Sequence, residues 1–195
     1  MALSLSKNQT ISLEKTQASG LGKVTLGLGW DPMKAGFFGR LIGQGGDIDL
    51  DASCILFDAQ MQPVDLVWFR QLQSRDGSIR HCGDNRTGEG DGDDESIELD
   101  LLALPPSVVQ LVFTVNSFTG QTFERIENAY CRIVNAGSGA ELARFYLSEQ
   151  GAHTGVVMAS LSRTAAGWDF KALGVTTQGR TVDDLVNLAA QAARA

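Results

Sequence analysis

The sequence predicts an all-β dominated fold, an antiparallel β-sandwich of two sheets closed by a C-terminal helix. Three observations carry this. Many segments are short, rich in β-branched and aromatic residues, and bounded by Gly, Asn, Asp or Pro. They follow one another at fairly regular spacing, with no alternating helical pattern between them. Only the last fifteen residues have a clear helical period. The chain has 195 residues, reads as one domain spanning 1–195, and shows no repeat of fixed period.

Taken in order, the expected strands are 23–30, 47–57, 64–71, 96–104, 108–118, 129–135, 141–148, 154–163 and 167–175. Hairpin turns are expected at Gly137–Gly139 and at Thr164–Gly167. The helix is expected over about 181–194. Thr181 can cap it, Asp184 follows three positions later, and Val182, Leu185, Val186, Leu188 and Ala189 form an apolar stripe.

Parity within two strands is informative. In 47–57, Ile48, Leu50, Ala52, Cys54 and Leu56 form one apolar face, while Asp47, Asp49 and Asp51 give way to Ile55 and Phe57 on the other. The second half should therefore be buried on both sides. An extended first half would set three carboxylates at intervals of about 6.5–7 Å. In 96–104, Ile97, Leu99 and Leu101 share the inward parity, and Glu95 shares it with them. An ionised carboxylate aimed inward is costly unless it is paired or metal-bound.

Composition excludes several classes. Hydrophobic residues make up 43% and prolines number 4, which excludes general disorder. No apolar run approaches the ~20 residues of a membrane-spanning helix. The first residues lack the apolar stretch of a secretory signal, and three widely spaced cysteines, Cys54, Cys82 and Cys131, suit a reducing compartment. The expectation is a cytoplasmic protein. A net charge of −7 argues against a nucleic-acid backbone as partner.

That charge is concentrated. Residues 84–95, DNRTGEGDGDDE, carry a net −5, and residues 47–51, DIDLD, a further −3; elsewhere 14 acids face 15 bases. Two carboxylates ~6 Å apart at an effective dielectric of ~20 repel by about 3 kcal/mol before salt screening. Alternating Gly88, Gly90 and Gly92 let the backbone turn tightly among these oxygens. Many carboxylates with Asn85 and Thr87 as neutral oxygens suit a hard cation with six to eight ligands, Ca²⁺ better than Mg²⁺. The segment is not an EF-hand, because Arg86 stands at the third loop position and Glu89 where the turn glycine belongs. Nine carboxylates in the two segments suggest two ions.

Other signals are weaker. His81 and Cys82 are adjacent, yet two histidines and no CxxC pair cannot furnish a tetrahedral zinc site. The stretch GLGK at 20–23 lacks the first glycine of a phosphate loop, and Ser138 between two glycines is a turn. The apolar, glycine-rich segment 36–46, GFFGRLIGQGG, is either a loop folded over the sandwich end or a contact for a partner.

The strings GLGWD (27–31), DLDAS (49–53) and HCGDNRTGEGDGDDE (81–95) resemble the bacterial tellurite-resistance and stress-response TerD family. TFERIENAYCRIVN (122–135), ELARFYLSE (141–149) and GWDFKALG (167–174) extend the resemblance over nearly the whole chain. DIDLDASC, VWFRQL and TVNSFTGQTF are most similar to its TerZ-like branch. The resemblance implies a calcium-binding sandwich and a cytoplasmic role in tellurite and chemical stress. It implies association with other stress-response proteins, in complexes at the inner membrane. Its motifs assign metal ligation to Asp31, Asp49, Asp51, Asp84, Asn85, Thr87, Glu89, Asp91, Asp93, Asp94 and Glu95. The leading expectation is a non-enzymatic Ca²⁺-dependent binding or scaffold module. The alternative is a phosphoester hydrolase using two metal ions held by the carboxylates. A secreted calcium-dependent lectin is disfavoured by the missing signal and the unpaired cysteines.

Overall fold

The computed structural model describes residues 2–14, 21–32, 49–83, 92–147 and 151–195. Among them, twelve strands follow in chain order: β1 (Leu3–Leu5), β2 (Thr10–Ser12), β3 (Lys23–Pro32), β4 (Asp51–Phe57), β5 (Pro63–Val67) and β6 (Ile79–His81). Then come β7 (Glu95–Asp100), β8 (Gln110–Asn116), β9 (Ile126–Asn135), β10 (Glu141–Tyr146), β11 (Gly155–Thr164) and β12 (Gly167–Thr177). The chain closes with helix α1 (Val182–Arg194).

The strands form two six-stranded sheets. The first has the order β1-β10-β9-β3-β7-β6 and the second β2-β12-β11-β8-β4-β5. Pairing is antiparallel except between β1 and β10, which run parallel. The expected sandwich of two sheets is therefore present, with one parallel edge.

The inward faces of both sheets share one core, to which β3 contributes Leu26, Leu28 and Trp30 and β4 contributes Ala52, Cys54 and Leu56. A second apolar cluster lies on the opposite face of the second sheet. There Ile55, Phe57, Val112, Val157 and Leu173 are covered by Val182, Ala189 and Ala192 of α1. Strand β4 is thus buried on both faces, as its parity predicts. Its thiol at Cys54 is pushed well above the ordinary range by that burial. Thr181 caps α1 by accepting from the Asp184 amide, and the Asp184 carboxylate accepts from the Thr181 amide, completing a capping box.

Several boundaries differ from expectation for identifiable reasons. β4 begins at Asp51 rather than at 47, because its partner β8 ends at the matching Asn116. There the Ser117 amide turns to Thr154 O, and Gly120 adopts φ +86°. β7 stops at Asp100, whose side chain accepts from the Ala103 amide and starts a turn. β5 stops at Val67, where Trp68 and Gln71 close a tight turn. β1, β2 and β6, each three residues long, are not foreseen from the sequence. Segment 36–46 and Asp47 lie outside the described residues.

Candidate functional site at the acidic rim

Residues Gly92–Glu95 form the stem by which the acidic glycine-rich segment enters β7. Three consecutive carboxylates on this stem take three different directions.

Glu95 points into the molecule and is 2% exposed. Its Oε2 accepts from the Ala52 amide at 2.6 Å. Because Glu95 belongs to the first sheet and Ala52 to the second, this bond joins the sheets at one end of the sandwich. It also joins the two acidic segments, since Asp51 precedes Ala52. His81 Nε2 faces the same carboxylate at 3.5 Å, with both side chains buried. His81 Nδ1 accepts from the Gly83 amide at 3.2 Å, which turns Nε2 towards Glu95.

Asp94 is bound to β3. Its amide donates to Leu28 O at 2.8 Å, and its Oδ2 accepts from the Trp30 amide at 2.8 Å. Burial pushes its carboxyl above the ordinary range; the Trp30 amide opposes this, and the charges of Asp31 and Asp93 add to it. Asp31, at the far end of β3, is exposed and accepts from Asn128 Nδ2 at 2.8 Å. Asp51 opens β4 at 5% exposure, and Asp49 stands two residues before it, half-buried.

Asp93 points the other way, over the outer face of the first sheet. Arg132 Nε on β9 donates to it at 2.8 and 3.1 Å, and Tyr130 Oη lies 3.0 Å from its Oδ1. Its charge is met by a guanidinium. Arg132 and Tyr130 are partners of Asp93 that sequence reasoning missed; the available signal was the alternation of Gly27 and Gly29 in GLGWD.

Of the expected ligands, the fold brings Asp31, Asp49, Asp51, Asp94 and Glu95 to one rim. Asp84, Asn85, Thr87, Glu89 and Asp91 lie outside the described residues. Among the described residues, no group of three His, Cys, Asp or Glu side chains is arranged to hold a metal ion. The donor chemistry nonetheless suits a hard cation. The side chains are carboxylates, and burial, with the nearby charge of Asp31 adding to it, makes the ionised form of Asp94 costly in a way that a divalent ion offsets. No helix among the described residues is long and apolar enough to cross a membrane.

Fold and rim together define a class: a two-sheet β-sandwich with a helix on one outer face and carboxylates gathered at one end. A family model for the TerD domain matches residues 1–190. Tellurium resistance protein TerZ of Serratia marcescens is 53% identical over 184 residues, covering 94% of each chain. Stress response protein SCP2 of Bacillus subtilis is 39% identical, covering 96% of this chain and 98% of the relative. A solved structure of a Streptomyces coelicolor homologue of telluride resistance protein TerD superposes with a TM-score of 0.69. It is 25% identical and covers 86% of this chain and 96% of that one. This chain belongs to the TerD domain family.

Proposed function

We propose that this protein is a non-enzymatic calcium-binding module of the tellurium-resistance and stress response, acting as a Ca²⁺-dependent binding or scaffold element. The observation that supports the reading most is the Glu95–Ala52 bond, which brings two acidic segments 43 residues apart onto one rim. Asp31, Asp49, Asp51, Asp94 and Glu95 are its described ligands in this reading. Asp84, Asn85, Thr87, Glu89 and Asp91 complete the set, enough oxygens for two ions. The relatives are named for tellurium resistance and stress response, which supports the resistance and stress-response part of the reading.

Isothermal titration of metal-stripped protein tests it. Calcium is expected to bind at up to two ions per chain, with magnesium weaker because it keeps its waters and takes fewer protein ligands. Absence of calcium heat at millimolar concentration, in protein shown to be folded, overturns the reading. Turnover of a generic phosphoester with Mg²⁺ or Mn²⁺ overturns its non-enzymatic part.

A further inference from the structure

Strand β3 carries an unusual outer face. Leu26, Leu28 and Trp30 fill the core, so Gly27 and Gly29 alternate on the opposite side, where β3 lies between β7 and β9. A Cβ built on Gly27 would collide with the Asp93 carboxylate. A Cβ on Gly29 would come within 2.5 Å of the Tyr130 ring. Two side chains therefore lie across β3 because the strand is bare beneath them. Asp93 reaches from the stem over Gly27 to Arg132, the register partner of Gly27. Tyr130 lies over Gly29, its own register partner, and places Oη 2.7 Å from Gly92 O.

The far end of this arrangement is also held. Arg132 and Arg144 are direct cross-strand partners, a like-charge pair that Glu141 relieves by bonding both, at 3.0 Å and at 2.7–2.9 Å. Arg144 stacks on Tyr130, 4.2 Å from the ring centroid. Asp93, Arg132, Glu141 and Arg144 make an alternating, charge-balanced row ending on the stem.

We propose that Asp93, Arg132 and Tyr130 form a clasp across the bare Gly27–Gly29 track that fixes the stem and so presets Asp94 and Glu95 for a divalent cation, Asp93 being an anchor and not a ligand. The proposal rests on the calcium reading. The physical reason is that Asp94 and Glu95 follow Asp93 directly along an irregular stem that enters β7 only at Glu95, so anchoring the Asp93 side chain restricts the backbone that aims the next two carboxylates. Partners that orient metal ligands commonly carry 10–100-fold in affinity without touching the ion.

The test uses the full chain with Asp93→Asn, Arg132→Gln, their combination, and Gly27→Ala. The last keeps every carboxylate and displaces only the clasp. Two quantities are read: amide exchange at Trp30 and Asp94 in calcium-free protein, and calcium binding resolved into ion number and affinity. Each single variant is expected to speed exchange at those amides by about tenfold, the loss of one charge-assisted hydrogen bond. Each is expected to weaken calcium about 10–100-fold with the ion number unchanged. The double variant is expected to be little worse than either single one. A reduced ion number in Asp93→Asn alone makes Asp93 a ligand and overturns the proposal. So does Gly27→Ala with wild-type exchange and affinity. If wild-type protein binds no calcium, the functional reading fails and the presetting role with it, while the exchange data still report whether the clasp holds the stem. A variant that fails to fold is replaced by Tyr130→Phe, which removes only the hydroxyl and should show the same signs at smaller size.

Discussion

The outer face of the first sheet and the rim beside it are both rich in carboxylates, yet they handle charge differently. On the face, Asp93 and Glu141 meet the guanidinium groups of Arg132 and Arg144. On the rim, Glu95 and Asp94 meet backbone amides of Ala52 and Trp30, and Glu95 faces a histidine. A guanidinium neutralises a carboxylate outright, whereas an amide satisfies its hydrogen bonding and leaves its charge in place. Adjacent residues of one stem fall on both sides of this divide. In the proposed reading it is the amide-bonded carboxylates of the rim that meet a cation, and Glu95 among them also ties the two sheets together.

The largest expected effect in breaking the comparison is at Glu95. Glu95→Ala strands the buried Ala52 amide and removes the link between sheets, so urea unfolding should show a loss of about 3 kcal/mol. A loss under about 1 kcal/mol would show that the sheets close without that bond.

Glu141 should behave differently. Its hydrogen bonds to Arg144, opposed by burial and helped by Arg132, hold its carboxyl below the ordinary range. A depressed folded-state value means that its contribution is present above the unfolded-state pKa, near 4.5, and is lost as the pH falls through the folded-state value. Glu141→Gln should therefore cost about 1 kcal/mol or less at pH 7, given its partial exposure. The difference from wild type should shrink below pH 4.5, and also in 1 M salt, which screens exposed pairs to about 3 Å. A difference that grows on acidification contradicts the assignment.

Much of this was legible in the sequence, for physical reasons. The long strands and α1 announce themselves through period, and the parity of β4 foretold a strand buried on both faces. The inward aim of Glu95 followed from counting along β7. What could not be read depends on register between distant strands. Asp93 and Arg132 are 39 residues apart, and only the pairing of β3 with both β7 and β9 sets them across Gly27. The two glycines were visible as a motif, but their reason lies in what crosses above them. Strands of three residues such as β6 are too short to display a period of two, though β6 delivers His81 to Glu95. The early end of β8 at Asn116 likewise shortened β4, so that of the three expected strand carboxylates Asp51 alone is described within it.

Thermal unfolding of metal-stripped protein with and without calcium tests the central claim most directly. At a calcium concentration a hundredfold above the dissociation constant, linkage predicts about 2.7 kcal/mol of added stability, a rise in Tm of roughly 5–10 °C for a chain of this length. A chelator should reverse the rise, and Asp51→Asn should diminish it. An unchanged Tm at millimolar calcium, in protein with its β-sheet signature intact, would contradict the account.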